Sequence, residues 1–487
     1  MAIQTNTEVA KLLIGGQWVE STEGKYLETY NPATGEVVGK VPEGTIEDIH
    51  KAVAAAKQGQ PALAALSLFE RSALLNKIAN ALELRKEEIA RVCSLEEGKP
   101  LYGEAIFEVG AAVQGFRNAA EQVKYLEGTT IPVEGKTKKA FNFYQPKGIY
   151  AVITPFNFPV NIPVEYIGPN IAAGNAIVWV PAPTTALTGL KLAEVIQSAG
   201  IPDGVLNVVT GKGEVIGDEL VGHPDINGIG FTGSTPTGNI ISRRGAGKHQ
   251  VMELGGNGPT IVLEDADVAK AAESIFYGCF VNAGQTCSST ERILIHESLQ
   301  DEFVEKLLAK VQAEIKLGDP LLAETTMGPL HNEGIASKMD AHVQDAIAKG
   351  AELVYGGKRA SGYSTNLYYE PTILKNCSQD SLVNLEETFG PIAPIVTFKT
   401  KEEAIEIARQ GNFGLLASVF TESSKNAFFF IENLKHGIVN INEHSNYWEL
   451  HIPFGGGAGT KSGQGRIGGK QLIEAMSNLK TVIWELS

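Results

Sequence analysis

The sequence has few cysteines for its length. Its 487 residues include only Cys93, Cys279, Cys287 and Cys377. Four such scattered cysteines are too few for a disulfide framework or for a cysteine–histidine metal cluster. We therefore predict no metal site, and we expect any cysteine with a special role to be a lone reactive thiol.

Long apolar runs and an excess of basic residues are also missing. No stretch approaches the roughly 18 apolar residues of a membrane-spanning helix, and the N-terminus has no basic segment followed by an apolar one. We therefore expect a cytoplasmic protein that is neither secreted nor membrane-bound. The 56 acidic and 41 basic residues give a net charge of −15, which argues against nucleic acid or an anionic membrane as partner. A small-molecule partner is favoured.

Length and apolar patterning predict an α/β protein with more than one domain. Helical periodicity covers residues 47–57 and 68–92, and later short apolar strands alternate with helical stretches, as in parallel sheets covered on both faces. Strands are predicted at 149–154, 176–180, 205–209 and 226–231, and in a second series at 260–263, 292–296, 392–398 and 417–420. Residues 128–144 and 479–486 look like strands without neighbouring helices, which is typical of an arm that pairs between subunits.

Cys287 follows a polar turn that contains a glycine, Asn282-Ala-Gly-Gln-Thr-Cys287. The sequence predicts that this cysteine lies at the start of a helix, where free amides and the helix dipole stabilise a thiolate, the nucleophilic form. The alternative is an inert buried thiol.

Glu253 ends the strand-like stretch 250–254 and precedes two glycines. Glycines there would let the carboxylate swing and deprotonate a water molecule. The alternative is a solvated surface charge.

Asn157 closes an apolar strand in the segment Thr154-Pro-Phe-Asn157-Phe-Pro. Its setting between aromatic residues and prolines is rigid, which suits an amide donor aimed at developing negative charge. A structural turn asparagine is the alternative.

Two segments are candidates for phosphate binding. Phe231-Thr-Gly-Ser234 follows a strand and opens a helix, so Ser234 and nearby amides are suited to a pyrophosphate at the positive helix end. The segment Gly211-Lys-Gly213-Glu-Val-Ile-Gly217 is similar to the dinucleotide fingerprint but has one residue too many in its second gap. An ordinary strand-to-helix turn is the alternative there.

Together and in this order, these motifs resemble those of the aldehyde dehydrogenase superfamily over almost the whole chain. The resemblance rests on six segments: Thr154-Pro-Phe-Asn157-Phe-Pro, Phe231-Thr-Gly-Ser234-Thr, Glu253-Leu-Gly-Gly, Gly284-Gln-Thr-Cys287, Glu386-Glu387-Thr-Phe389-Gly-Pro391 and Pro453-Phe454-Gly-Gly. It implies a Rossmann-like cofactor domain, an α/β catalytic domain and a small β oligomerisation arm in a homodimer or homotetramer. The implied ranges are 1–127 and 146–253 for the NAD(P)-binding domain, 254–445 for the catalytic domain, and 128–145 and 470–487 for the arm.

The resemblance also implies NAD(P)+-dependent oxidation of an aldehyde to a carboxylic acid. Cys287 would attack the aldehyde carbon, and the Asn157 amide and the Cys287 backbone N–H would hold the oxyanion. After hydride transfer to the nicotinamide, Glu253 would activate the water that hydrolyses the thioester. Since the coenzyme A-dependent branch usually lacks a glutamate at this position, free acid is the expected product.

The implied cofactor is NAD+ or NADP+. Most relatives have a lysine after the strand 176–180 and many have a glutamate three residues later, but this chain has Val180 and Pro183. Without that carboxylate nothing repels a 2′-phosphate, and without the lysine no cation attracts one, so we expect only a slight preference for NAD+. The predicted cofactor contacts are Thr154, Phe156, Gly213, Phe231, Gly233, Ser234, Leu254, Glu387 and Phe389.

The candidate substrate contacts point to two kinds of aldehyde. The aromatic residues suit an apolar or aromatic aldehyde. Arg117 and His451 suit an anionic tail instead, although a surface salt bridge is the alternative for Arg117. The predicted substrate contacts are Phe156, Arg117, Ser288, Trp448 and His451.

Two other functions are the alternatives to the dehydrogenase. A cysteine-dependent ester hydrolase would use Cys287 with His451 and no redox cofactor, but it has no use for the Ser234 and Glu387 segments. A non-catalytic binding protein predicts loss of Cys287, Asn157 or Glu253, and all three are present.

Overall fold

The computed structural model describes residues 8–486; residues 1–7 of the expected cofactor domain and residue 487 of the expected arm lie outside the described residues. Within that range the chain forms four sheets and fifteen α-helices, and none of these helices is long and apolar enough to cross a membrane. The helices are α1 (Ile46–Ala64), α2 (Leu68–Leu84), α3 (Lys86–Glu97), α4 (Ile106–Gln122), α5 (Asn161–Ala173), α6 (Ala186–Ser198), α7 (Asp218–Gly222), α8 (Thr235–Arg244), α9 (Val268–Phe280), α10 (Gln300–Glu314), α11 (Glu333–Ala348), α12 (Leu382–Leu385), α13 (Lys401–Ala408), α14 (Ser424–Asn433) and α15 (Gly469–Ala475).

The helices begin and end where local chemistry requires. α1 starts at a capping box in which Thr45 and Asp48 satisfy each other's backbone amides, and it contains the predicted helix 47–57. The helical stretch 68–92 is present as two helices, because Arg85 (φ −107°, ψ 16°) leaves helical geometry and separates α2 from α3.

The first large sheet has eight strands in the order β20-β12-β11-β8-β9-β10-β2-β3. Its members are β2 (Leu12–Ile14), β3 (Gln17–Val19), β8 (Ile149–Ile153), β9 (Ala176–Val180), β10 (Leu206–Val208), β11 (Gly228–Thr232), β12 (His249–Glu253) and β20 (Gly463–Gln464). The five strands from β12 to β10 run parallel, so their carboxyl ends lie at one edge. The four strands predicted in the first series are present, although β11 begins two residues later than expected.

Helices cover both faces of this sheet. Along β9, Ile177 and Trp179 join the core formed with α5 and α6, whereas Val178 and Val180 join the core formed with α1. This burial on both faces explains why the strand is apolar at every position.

The second large sheet has seven strands in the order β15-β16-β17-β14-β13-β18-β19. Its members are β13 (Gly258–Val262), β14 (Thr290–His296), β15 (Glu352–Tyr355), β16 (Thr372–Lys375), β17 (Ile392–Phe398), β18 (Leu416–Phe420) and β19 (Ile438–Ile441). All neighbours are parallel except β15 and β16, and a separate apolar core surrounds the sheet. The mixture of α-helices with mainly parallel sheets confirms the predicted α/β class.

Two smaller sheets have three strands each. One joins β1 (Glu8–Val9), β5 (Val37–Pro42) and β4 (Tyr26–Tyr30). The other joins β21 (Ser477–Glu485), β7 (Lys138–Pro146) and β6 (Thr130–Ile131), which are the segments expected in the arm. Between the large sheets and β21, α15 packs on α4 and α5, and its Leu472 and Ile473 belong to the core of the first sheet. The domain boundaries stay a prediction.

The carboxyl ends of the strands in the first large sheet lie next to the amino ends of strands in the second. β12 leads through residues 254–257 directly into β13, so the carboxyl edge of the first sheet faces the amino ends of β13, β14 and β17. Asn157 and Ser234 follow strands of the first sheet and Glu253 ends one, while Cys287 and Glu387 precede strands of the second. The fold thus brings five sequence-distant candidates to one junction.

Candidate active site

The turn that carries Cys287 has left-handed backbone. Asn282, Ala283 and Gly284 have φ angles of 53°, 50° and 73°. A Cβ at Gly284 would lie 2.2 Å from the carbonyl oxygen of Gly390, so only glycine fits there. The prediction that Cys287 begins a helix is wrong, because these residues reverse the chain and leave Cys287 in a turn between α9 and β14.

The thiol of Cys287 is not stabilised as a thiolate in this setting. Burial raises its pKa, and the carboxyl groups of Glu387, Glu253 and Glu165 raise that pKa further. The expected lowering of the pKa by a helix N-terminus is therefore wrong. A base has to take the proton before the sulfur can act as a nucleophile.

Asn157 is tied to the cysteine turn from the opposite sheet. It is buried, and its Nδ2 donates a hydrogen bond to the carbonyl oxygen of Gln285 at 2.9 Å. Its own backbone carbonyl accepts hydrogen bonds from Lys99 Nζ at 2.6 Å and from Asn282 Nδ2 at 3.1 Å. Because a primary amide has two N–H groups, one remains after the bond to Gln285.

Lys99 holds this arrangement through a fully buried ion pair. Its Nζ lies 2.8 Å from Glu108 Oε2, and both side chains are at most 1% exposed. The other oxygen of Glu108 accepts hydrogen bonds from the amides of Val160 and Asn161 at the start of α5. Lys99 and Glu108 therefore fix the backbone on both sides of Asn157.

Replacing Lys99 with methionine should lower the free energy of unfolding by about 3–5 kcal/mol, because Glu108 would keep a buried charge without its partner. Denaturant unfolding followed by fluorescence measures this loss. The matched control is Lys57→Met, which removes an exposed pair with Asp225 and should cost less than about 1 kcal/mol. Equal losses in the two variants would contradict the assigned role of Lys99.

Glu253 ends β12 with an unusual side-chain environment. It is 2% exposed, and neither carboxyl oxygen has a hydrogen-bond partner among the described residues. Gly455 leaves room for it, since a Cβ there would lie 2.6 Å from Glu253 Oε1. Burial raises the pKa of Glu253 well above its usual value, with Arg466 opposing and Glu165 adding to the shift. An unpartnered, strongly basic carboxylate of this kind can bind and deprotonate a water molecule.

Several predicted cofactor residues follow strands at the carboxyl edge of the first sheet. Thr154 follows β8, Gly233 and Ser234 follow β11, and Leu254 follows β12. Ser234 is exposed and caps α8, its Oγ accepting a hydrogen bond from the Thr237 amide at 3.4 Å. The positive end of this ten-residue helix is therefore open to an anion.

The predicted cofactor residues of this edge differ in exposure and in their contacts. Phe231 is buried and Gly213 is exposed at the start of a π-helical turn, residues 213–217. Leu254 is buried against Gly238 of α8, where a Cβ would lie 2.2 Å from the leucine. Thr154 is buried and accepts a hydrogen bond from Trp179 Nε1 at 2.9 Å.

Glu387 reaches the same place from the second sheet. Its Oε1 accepts a hydrogen bond from the Gly256 amide at 2.8 Å. A Cβ at Gly255 would lie 2.7 Å from Glu387 Oε2 and 3.1 Å from Thr235 Oγ1, so this glycine keeps open the space between Glu387 and the amino end of α8. An anion-binding helix end opposite a carboxylate suited to ribose hydroxyls fits a dinucleotide such as NAD(P)+.

Phe156 is predicted to contact both the cofactor and the substrate. In the structure it lies next to Phe389, which is also a predicted cofactor contact. Its ring stacks on His331 with centroids 4.1 Å apart and meets Phe389 edge-on at 6.2 Å. Phe156 is not among the residues that line the cavity beside Cys287. Phe389 itself has a left-handed φ of 60°.

A cavity of about 640 Å³ is lined by both Cys287 and Glu253. Of the predicted substrate contacts, Ser288 and Trp448 also line it. Seven aromatic residues contribute to its walls, namely Phe107, Phe158, Phe276, Tyr277, Phe280, Trp448 and Phe454. The cavity has the size and the apolar character of a small-molecule site.

Arg117 and His451 do not line this cavity. Arg117 forms a surface ion pair with Glu83 at 2.9 Å, the alternative considered for it above. His451 is 55% exposed and lies 3.5 Å from Glu449. Both side chains are partly exposed and lie beside carboxylates outside the cavity, and their contact with an anionic tail stays a prediction.

The sequence analysis missed the buried carboxyl groups of the cavity. Burial raises the pKa of Glu104 to about 7, and it raises the pKa of Glu165 well above its usual value. Glu165 Oε1 accepts a hydrogen bond from Asn161 Nδ2 at 2.7 Å. Glu165 is the one charged residue of the apolar helix α5. A single charged residue in an apolar helix is the sequence feature that could have indicated a buried carboxyl group. The sequence around Glu104 does not indicate burial, because other charged residues stand near it.

Known proteins show the same architecture. The chain matches the Aldehyde dehydrogenase family over residues 18–482. It is 38% identical over 472 residues to the mitochondrial succinate-semialdehyde dehydrogenase of Arabidopsis thaliana, covering 96% of this chain and 88% of that one. It is also 38% identical over 470 residues to succinate-semialdehyde dehydrogenase [NADP(+)] of Escherichia coli, covering 96% of each. A crystal structure of an aldehyde dehydrogenase from Brucella melitensis biovar abortus 2308 superposes with a TM-score of 0.95 at 37% identity, covering 98% of each chain.

The fold and the dinucleotide edge are those of a nicotinamide-dependent oxidoreductase. With the matches above, the chain belongs to the aldehyde dehydrogenase family and catalyses NAD(P)+-dependent aldehyde oxidation. The predicted fold, reaction and cofactor class are thereby confirmed. The rival ester hydrolase without a redox cofactor finds no support in these relatives.

Proposed function

We propose that Cys287 is the nucleophile of this oxidation, that Asn157 and the Cys287 amide bind the oxyanion, and that Glu253 is the general base. The observation that supports this assignment best is one shared cavity. Cys287 and Glu253 both line it, and Asn157 is hydrogen-bonded into the cysteine turn. A nucleophile, a fixed amide dipole and an unpartnered carboxylate are the three groups that acyl chemistry on a thiol requires.

In the first half-reaction the sulfur of Cys287 loses its proton to a base and bonds to the aldehyde carbon. The carbonyl oxygen becomes an oxyanion, which the remaining N–H of Asn157 and the Cys287 amide stabilise. Ser234 and Glu387 would help to hold NAD(P)+, which would supply the acceptor for the hydride of that carbon, and a thioester on Cys287 would remain.

In the second half-reaction Glu253 takes a proton from water while the water oxygen attacks the thioester carbon. The carbon–sulfur bond breaks, the carboxylic acid leaves, and the sulfur is ready for another cycle. Because both oxygens of Glu253 are unpartnered in the described structure, they are available to that water. We therefore propose water, and not coenzyme A, as the acyl acceptor.

We further propose a slight preference for NAD+ over NADP+. β9 ends at Val180, and Pro183 begins a 3₁₀ turn beyond it, so neither a cation nor a carboxylate stands at these two positions. NADP+ use stays compatible with this pattern, and the relative from Escherichia coli is named for NADP(+).

The cofactor proposal predicts a ratio of kcat/KM for NAD+ over NADP+ between one and about ten, with free acid formed in the absence of coenzyme A. Pro183→Glu should raise this ratio by about tenfold, because a carboxylate would repel the 2′-phosphate. Initial rates of reduced-nicotinamide absorbance measure both quantities. Pro183→Gln is the control of equal size without charge, and an equal change in the two variants would contradict the electrostatic cause.

We also propose an oligomeric assembly and a cytoplasmic location. The arm sheet exposes apolar side chains, among them Leu479, Ile483 and Trp484, which supports a homodimer or homotetramer that covers them. The four cysteines are free, which supports the predicted cytoplasmic location, although one relative above is named as mitochondrial.

A further inference from the structure

Seven aromatic side chains contribute to the wall of the cavity beside Cys287. Phe158 and Phe280 lie at its inner parts, being at least partly buried, while Phe107 and Tyr277 are 70% and 40% exposed. Rings at several depths give a planar apolar molecule edge-to-face and stacked contacts along its length. An aliphatic chain gains only the burial of its area from such walls.

No Lys, Arg or His belongs to the described residues that line this cavity. The cations nearby are already held by partners. Lys99 is paired with Glu108 inside the protein, and Lys310 is paired with Glu314 at 2.7 Å. Arg466 donates to the carbonyl oxygens of residues 456 and 465. A substrate carboxylate in the cavity would therefore be desolvated without a counter-charge.

The charged groups that do line the cavity are acidic. Burial raises the pKa values of Glu104 and Glu165. When these groups are ionised, they repel an anion.

From these walls we infer that the substrate is an uncharged aromatic aldehyde. The inference rests on the proposed role of Cys287, which places the reacting carbon in this cavity. It separates this chain from the relatives named for succinate semialdehyde, whose substrate carries a carboxylate.

The test compares kcat/KM for benzaldehyde, 4-carboxybenzaldehyde, succinic semialdehyde and cyclohexanecarbaldehyde on the full-length enzyme. Benzaldehyde should exceed both anionic aldehydes at least about 100-fold, because they bury an unpaired charge. It should exceed cyclohexanecarbaldehyde about fivefold through ring contacts. A preference for either anionic aldehyde or for cyclohexanecarbaldehyde overturns the inference and leaves the proposed function standing. Absence of reduced nicotinamide with every aldehyde overturns the proposed function itself.

A designed cation provides the second test. Phe107→Arg places a guanidinium on an exposed part of the wall, so it should fold normally and raise the ratio of 4-carboxybenzaldehyde to benzaldehyde kcat/KM at least about tenfold. Phe69→Arg adds the same charge at a 72% exposed position on α2 that does not line the cavity, and the ratio should stay unchanged. An unchanged ratio in Phe107→Arg would show that charge in this cavity does not govern selection, which overturns the inference.

Discussion

Cys287→Ala should lower kcat for aldehyde oxidation by at least about 10³-fold, because the variant has no atom that can form the thioester. The fold should survive, since the side chain is only partly buried and shrinks by a single atom. The measurement is the initial rate of reduced-nicotinamide absorbance at saturating cofactor, with the melting temperature of each protein recorded alongside.

The matched control is another cysteine of the same chain. Cys377 is buried in the second sheet's core, outside the active-site cavity, and Cys377→Ala should keep kcat within about twofold. If Cys287→Ala oxidised aldehydes at the wild-type rate, the nucleophile would have to be a different group and the whole assignment of the cavity would fail.

The positions of the strand ends explain which part of this site could be predicted from the sequence. Asn157 and Ser234 follow strands and Glu253 ends one, and parallel strands place their carboxyl ends at one edge. The succession of strands along the chain is therefore sufficient to place these three residues at one edge of the first sheet. Their proximity to Cys287 and Glu387 could not be predicted in this way. It depends on the position of the second sheet, because the amino ends of its strands face the first sheet.

The backbone conformation before Cys287 could not be predicted from the sequence pattern. A glycine-bearing turn before a cysteine is typical of a helix start, but here Asn282 and Ala283 also adopt left-handed φ angles. Such conformations are rare for residues other than glycine and persist only where surrounding packing imposes them. Since the close contact between Gly284 and Gly390 joins two segments over 100 residues apart, no local window contains its cause.

The burial of the charged residues Lys99 and Glu108 could not be predicted from the sequence either. Lys99 and Glu108 stand in helix-rich sequence where charged residues ordinarily face solvent. Their burial depends on the packing of α3, α4 and α5 around Asn157, which is a tertiary property. The same packing turned Arg117 outward to Glu83, so the sequence alone offered a substrate cation that the fold places elsewhere.

Glu253→Gln should separate the two half-reactions. The amide cannot take a proton from water, so the thioester on Cys287 should accumulate after the first hydride transfer. We expect a burst of about one equivalent of reduced nicotinamide per active site, followed by a steady-state rate lowered about 10²- to 10⁴-fold. Stopped-flow absorbance measures the burst and the slow phase in one trace.

The pH dependence of the wild type adds a second signature. Glu253 accepts a proton only as a carboxylate, and burial raises its pKa, so the deacylation rate should fall as the pH decreases through a value well above 4.5. Glu165→Gln is the matched control, because Glu165 lines the same cavity and raises the pKa of Glu253. That variant should keep deacylation but move its acid limb to lower pH. An unchanged steady-state rate without a burst in Glu253→Gln, or loss of deacylation in Glu165→Gln instead, would assign the base to another carboxyl group.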